Sequence, residues 1–279
     1  MGLRFLAIVG VVLLAAGVLS AVTSRGPSGS ARQPTPLPSA LGGEPSDNAA
    51  PSESGSPRSA TSPGPSSPYT FDDEFDGPTL DPAWQRHFSC CGNLAGFDPG
   101  LTTIQDGVLS MAVASRPDGW YGDLIDTKSS WTQLYGTFEA RIQIPKGAGL
   151  WPAFWSYFSG GGTQAEIDTM EVCGGVSIGG GSVLHNSVFW SARDHDSQQT
   201  TTVDLSTGFH VYGVDWRPDH ITFFLDGQPV WTFSDPTRIP SVPLPLILDL
   251  GVGGDFCGPP NASTPGDARM LVDWVRARP

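Results

Sequence analysis

Gly136-Thr137-Phe138-Glu139-Ala140-Arg141-Ile142-Gln143-Ile144 alternates apolar and polar side chains with a period of two. Phe138, Ala140, Ile142 and Ile144 fall on one face, and Thr137, Glu139, Arg141 and Gln143 on the other. Successive side chains of a strand point to opposite faces, so this stretch reads as a strand with one side in a core and the other toward water. From Tyr69 onward, glycines and prolines punctuate similar short runs rich in Val, Ile, Phe, Trp and Thr, and no segment sustains a helical period. Ile221–Leu225, then Asp226-Gly227, then Pro229–Phe233 reads as a hairpin, because Asp-Gly supplies the positive φ angles of a two-residue turn. Further strands are expected at 108–114, 151–158, 164–172, 183–191, 209–216, 245–252 and 269–277. The fold class is all-β, a jelly-roll sandwich of two antiparallel sheets.

The residues ahead of Tyr69 read differently. Arg4 precedes an uncharged apolar run from Phe5 to Val22, the form of a secretory signal. That run is close to the ~20 residues that span a bilayer, so residues 1–22 are expected to be a signal peptide or a membrane anchor. Residues 23–68 are rich in Ser, Pro, Gly, Ala and Thr and lack aromatic residues. They cannot bury enough apolar surface to offset the entropy of ordering, and are expected to form a disordered linker. The remaining domain, 69–279, is expected to be extracellular, secreted or tethered to membrane or cell wall through the N-terminal segment, and to act as a monomer.

The net charge is −13, and only three acids, against four arginines, precede Tyr69, so the negative excess lies in the domain. Such a surface repels phosphate backbones, which argues against nucleic acid and suits a neutral substrate. Four cysteines in an exported chain suggest up to two disulfides. Cys90 and Cys91 are adjacent, so Cys173 and Cys257 are their expected partners, in either order. No Cys-x-x-Cys or matching histidine spacing suggests zinc.

Glu166-Ile167-Asp168-Thr169-Met170-Glu171 places three carboxylates within six residues of a β-prone run. In a regular strand Glu166 and Asp168 share a face, whereas Glu171, at an odd offset, points away. If Thr169 and Met170 together occupy one step of the partner strand, the resulting β-bulge returns Glu171 to that face. Four effective steps of about 3.3 Å then separate the outer Cα atoms by about 13 Å. Two glutamates leaning inward can close that gap to the roughly 5–5.5 Å needed to cleave a glycosidic bond with retention. Asp168, shorter and between them, is placed to hydrogen-bond a glutamate. Three neighbouring acids do not ionise together easily, so one pKa is expected to rise. That value is assigned to Glu171 as acid/base, leaving Glu166 as nucleophile.

The aromatic setting separates this motif from a solvated acidic strand edge. Trp151, Ala153, Trp155 and Tyr157 share one face of Leu150–Phe158, a platform on which sugar rings can stack, while Phe154 and Phe158 supply the core on the other. Trp120, Tyr121, Trp131 and Trp190 are weaker candidates for the same cleft. His185, at the start of a strand, is a further candidate. Arg141, on the polar side of its strand, is placed to pair with one of the acids or to bind a sugar hydroxyl.

With these residues the chain resembles glycoside hydrolase family 16, the β-glucanase and laminarinase group, over most of 69–279. Phe71-Asp72-Asp73-Glu74-Phe75-Asp76-Gly77 with Leu80-Asp81 and Trp84 is similar to that family's opening strand. Tyr135 to Arg141 followed by Gly149 to Trp155, the E-x-D-x-x-E motif, Phe209-His210 to Trp216, Asp226-Gly227 and Met270 to Arg276 resemble its later segments. The resemblance implies two bent sheets with the substrate cleft across the concave face. It makes Glu166 the nucleophile, Asp168 its assistant and Glu171 the acid/base. Trp151 and Trp155 match sugar-contacting tryptophans, and His185 a histidine near the cleft. It also implies a structural Ca²⁺ on the convex side, held by the carbonyls of Glu74 and Gly107 and the carboxylate of Asp273, a mixed oxygen set that Ca²⁺ accepts; catalysis itself needs no cofactor. Three positions depart from the family: Gly160 to Ala165 replaces a tryptophan-containing segment, Asp249 stands where asparagine is common, and Asn186-Ser187 follows His185 without the usual aromatic or glycine. The expected function is a retaining endo-β-glucanase acting on β-1,3 or mixed β-1,3/1,4-glucans. The alternatives are a same-fold hydrolase or transglycosylase acting on another polysaccharide, and a non-catalytic carbohydrate-binding jelly roll.

Overall fold

The alternation that opens the sequence reading becomes a strand in the computed structural model, which describes residues 67–86, 96–174 and 180–279. The apolar run at 5–22, the linker as far as residue 66, and Cys90 and Cys91 lie outside the described residues. In chain order the strands are β1 (Phe71–Asp73), β2 (Gln85–Arg86), β3 (Gly96–Phe97), β4 (Thr102–Gln105), β5 (Val108–Ala112), β6 (Ala114–Arg116), β7 (Gly119–Asp126) and β8 (Gly136–Gln143). Then follow β9 (Leu150–Gly160), β10 (Thr163–Val172), β11 (Val183–Phe189), β12 (His195–Thr201), β13 (His210–Trp216), β14 (Ile221–Leu225), β15 (Gln228–Phe233), β16 (Ile247–Val252) and β17 (Arg269–Arg278). A single turn of helix, α1 (Gly254–Cys257), sits between the last two.

One sheet runs β15-β14-β13-β8-β17-β5-β4, with β1 also pairing β17. The other runs β12-β11-β10-β9-β16-β7-β2, with β3 and β6 on β7. All pairs are antiparallel except β3 with β7. Between the sheets lies a core built from the buried parity of each strand: Leu109 and Met111, Phe138 and Ile142, Phe154, Ile167 and Met170, Tyr212 and Trp216, Phe223 and Val272. The Asp226-Gly227 hairpin has φ of 50° and 73°, the positive pair that a two-residue turn demands. A second, smaller apolar cluster of Leu124, Ala153, Trp155 and Ile247 lies apart from that core, with Phe97 and Tyr157 packed against it.

Of the strands that were not anticipated, β7 and β12 are the longest. β7 contains Gly122, Asp123 and Asp126, residues that disfavour strands. Asp123 is nevertheless fully buried, because Arg86 pairs with it at 2.8 Å and Thr102 donates to it. β12 reads His-Asp-Ser-Gln-Gln-Thr-Thr, polar on both faces, and forms the exposed edge of its sheet. Alternation has nothing to report on a strand with no buried face, and polar edges of this kind resist pairing with other chains.

The disulfide expectation is corrected. Cys173 pairs with Cys257, with Cα atoms 5.0 Å apart, rather than with either adjacent cysteine. β10 and β16 both flank β9 and run the same way, so the residues just beyond their C-terminal ends are brought together. The core predicts its own sensitivity: Ile142→Ala leaves a cavity between the sheets and should lower stability by about 2–5 kcal/mol, read as a lower urea midpoint with an unchanged slope.

Candidate active site

The three acids meet on the face of the nine-stranded sheet turned away from the core, lining a cleft of about 580 Å³. The bulge is what unites them. Against β11, Asp168 lies opposite Ser187 and Glu171 opposite His185, so Thr169 and Met170 share the single step of Asn186. Against β9, the register likewise shifts between Asp168, opposite Trp155, and Met170, opposite Phe154. Met170 drops into the core, and Glu171 turns to the cleft. An extra residue takes a backbone group out of the ladder, and a buried carbonyl needs a donor. Asn186 supplies it: its side-chain Nδ2 donates to the Thr169 carbonyl at 2.7 Å, and the residue is fully buried.

Cross-strand pairing lays the cleft out as rows. One row carries Gln199, His185, Glu171, Ala153 and Asp249; the next carries Ser197, Ser187, Asp168, Trp155 and Ile247. A third carries His195, Phe189, Glu166 and Tyr157. Sugar hydroxyls laid along a row would meet polar groups from the β12 edge and indoles from β9.

Burial dominates the electrostatics. It raises the carboxyls of Glu166 and Glu171 to about 7, the charge of Glu171 adding to the effect on Glu166. Asp168, only 4% exposed, is raised well above the carboxylate range by burial, then by Glu171, Glu166 and Asp249. The expectation of a single raised value therefore widens to the whole cluster. Each glutamate also has one hydrogen bond that favours its charged form. Asp168 hydrogen-bonds Glu166, which favours the charged form of Glu166. Trp151 Nε1 donates to Glu171 Oε1 at 2.8 Å, leaving Oε2 as the oxygen to carry a proton.

Trp155 is tied in the same way, its Nε1 donating to Asp249 Oδ1 at 2.8 Å, but it is 8% exposed and forms cleft floor more than platform. His185 lines the cleft, and burial lowers its pKa, which favours the neutral ring. Arg141 is a correction. It lies on the outer face of the eight-stranded sheet, with the core between it and the acids, where its Nη1 pairs with Asp273 at 2.5 Å and its guanidinium covers Phe209. Parity decided this: with Ala140 and Ile142 inward, Arg141 can only face out. Trp131 packs on Phe71 and Phe138, and Trp190 stacks on Phe233; neither they nor Trp120 and Tyr121 line the cleft.

Glu74 follows β1, Gly107 precedes β5, and both strands pair with β17, which carries Asp273. Asp76 Oδ1 lies 3.2 Å from where a Gly107 Cβ would stand, so the two carbonyl-bearing segments are adjacent, as a cation site requires. The Asp273 carboxylate, however, is engaged by Arg141 and the Glu74 carboxylate by Arg276, so to hold a cation the Asp273 carboxylate would have to leave its guanidinium.

Among the residues not singled out from sequence as site residues are Asp249 and Phe256, which line the cleft, and Asn186, buried beneath it. Asp249 and Asn186 were visible only as departures from a pattern, and Phe256 only as a lone aromatic among glycines beside a cysteine.

The model of glycosyl hydrolases family 16 matches residues 103–276, which include all three acids. The chain belongs to this family. An endo-1,3-1,4-beta-glycanase, EglC, of Rhizobium meliloti is 32% identical over 180 residues, covering 64% of this chain and 38% of that protein. A glucan endo-1,3-beta-glucosidase of Cryptopygus antarcticus is 32% identical over 245 residues, covering 74% of this chain and 86% of its own length. Among solved structures, an endo-beta-1,3-glucanase from Pyrococcus furiosus superposes with a TM-score of 0.67 at 26% identity, over 75% of this chain and 93% of that one. The family's jelly roll is thus the fold found here, and the chain spans little more than a third of the Rhizobium protein.

Asp249 yields a prediction with a definite sign. Burial raises its carboxyl from 3.8 to about 8, with the charge of Glu171 contributing, against the Trp155 hydrogen bond. The native state therefore holds a proton that the unfolded chain releases, and this group's contribution to stability falls as pH rises from about 4 to about 8. Asp249→Asn keeps an acceptor for Trp155 and removes the penalty. Its melting temperature should gain on the wild type steadily between those pH values; a gap that does not change with pH would contradict the assignment.

Proposed function

We propose that the protein is a retaining endo-β-glucanase that hydrolyses β-1,3 or mixed β-1,3/1,4-glucans. The observation that carries the proposal is the bulge that aligns Glu166, Asp168 and Glu171 in one cleft beside Trp151 and Trp155. The named activities of the Rhizobium and Cryptopygus relatives support the same reading. Glu166 attacks the anomeric carbon while Glu171 protonates the departing oxygen, giving a glycosyl ester on Glu166. Glu171, now a base, takes a proton from water, whose oxygen displaces Glu166 and regenerates both groups. A non-catalytic binding module would have no use for carboxyls held at such a desolvation cost. The apolar run at 5–22 and the Ser/Pro/Gly-rich stretch after it support an enzyme acting outside the cell, on a tether or free.

Incubation with laminarin and with lichenan, followed by NMR of the anomeric proton, should show the β-anomer released first; initial α-anomer would sink the retaining mechanism. Glu171→Gln should slow hydrolysis of the polymer by about 10²–10⁴-fold, and Glu166→Ala should abolish it in a protein with unchanged circular dichroism.

A structural Ca²⁺ at Glu74, Gly107 and Asp273 belongs to the same proposal, supported by the adjacency of the two carbonyl segments. Added Ca²⁺ should raise the melting temperature, EDTA should reverse the rise, and Asp273→Asn should diminish it. A melting temperature indifferent to both reagents would remove the site.

A further inference from the structure

We infer that Phe256 is the stacking platform for the departing sugar, and that the Cys173–Cys257 disulfide is what holds it there, an inference that rests on the glucanase reading. Among the described residues three large apolar side chains are exposed, Leu134, Val203 and Phe256, and of these only Phe256 lines the cleft. An aromatic ring 44% exposed beside a row of polar groups has apolar area left to cover, and sugar rings present an apolar face that suits it.

Its position assigns the sugar. The Phe256 ring lies 5.2 Å from that of Trp151 and 5.0 Å from that of His185. Trp151 donates to Glu171, and His185 is Glu171's cross-strand partner, so Phe256 stands beside the two side chains that flank the acid/base. The acid/base protonates the bridging oxygen. An aromatic at its side is therefore next to the sugar that leaves on that oxygen, whereas the sugar that esterifies Glu166 lies toward the other end of the motif.

None of the residues of α1 is buried, so its contacts with Trp151 and His185 do not by themselves enclose the ring. Two links fix it. Gly253 N donates to the Gly149 carbonyl at 2.7 Å, and Gly149, with φ of 73°, lets the loop approach so closely that a Cβ there would stand 2.6 Å from Pro260 N. The second link is the disulfide to Cys173, a buried residue two positions past Glu171, whose Sγ also lies 3.7 Å from the Phe256 carbonyl oxygen. The platform is thus covalently joined to the strand that carries the acid.

In the second half-reaction, water or the hydroxyl of an acceptor sugar attacks the ester carbon. The new carbon–oxygen bond forms as the bond to Glu166 breaks, Glu166 leaves as carboxylate, and the attacking oxygen's proton passes to Glu171. An acceptor seated on Phe256 competes with water, so the ratio of transfer to hydrolysis reports the platform and is internal to each sample. With laminarin as donor and labelled laminaribiose as acceptor, Phe256→Ala should lower that ratio about tenfold, and Phe256→Trp should restore it. Cys173→Ser/Cys257→Ser should lower it similarly in the wild-type background and add nothing in the Phe256→Ala background. A wild-type ratio in Phe256→Ala, or a wild type that never transfers, overturns the platform. A fall on disulfide removal that persists in Phe256→Ala, or no fall at all, overturns the clamp. A wild type that cleaves no glucan fails earlier, at the glucanase reading, and takes the inference with it.

Discussion

Glu171 reaches the cleft because β10 carries one residue more, between Asp168 and Glu171, than either strand beside it. A strand has only two faces, so no rotamer change could bring a side chain of the wrong parity across the sheet. The bulge must form, and it must form at Thr169–Met170. Met170 rewards that register with complete burial, and Asn186 gives the displaced Thr169 carbonyl a donor from within the neighbouring strand. One buried amide thus supports the geometry on which both glutamates depend. Its own Oδ1 has no partner, so this support leaves a buried acceptor unsatisfied.

The cleft that results is unusual in how it holds charge. Among the described residues four carboxyls line it, and no lysine or arginine does. A cation would pin a carboxyl in its charged form and lower its pKa; an indole N–H fixes its direction with far less effect on its charge. Trp151 and Trp155 play that part for Glu171 and Asp249, so the carboxyls are oriented while burial keeps their protons near the point of release at neutral pH. An acid that must give up a proton and later take one back needs that balance. The tryptophans therefore act through their nitrogen edges as well as their faces.

What was legible followed from period and parity. Phe138 to Ile142, the Asp226-Gly227 hairpin and the bulge itself could be read because each is a local pattern whose consequence is local. Parity also held the information that removes Arg141 from the site, since a strand whose alternate residues are core must present the others to the far side of its sheet. It went unused because the order of strands, and with it which outer face bears the cleft, is not a local property. The same lack hid β12, whose polar residues matter only because β11 lies beside them, and misassigned the cysteines. Cys173 and Cys257 meet because β9 separates β10 from β16 by one strand, and nothing in the residues around either cysteine encodes that spacing.

Asp249 shows how the two kinds of information combine. As a letter it departs from the asparagine that the resemblance leads one to expect, and a carboxylate there would add a fourth negative charge beside the catalytic acids. Its surroundings cancel the departure. Ala153 separates it from Glu171 on the floor of the cleft, Trp155 covers it, and burial raises its carboxyl to about 8. At neutral pH it is a protonated, uncharged acceptor for an indole N–H, which is the role an asparagine carbonyl would play. The departure becomes a charge only as pH rises through the raised pKa that burial gives the Asp249 carboxyl.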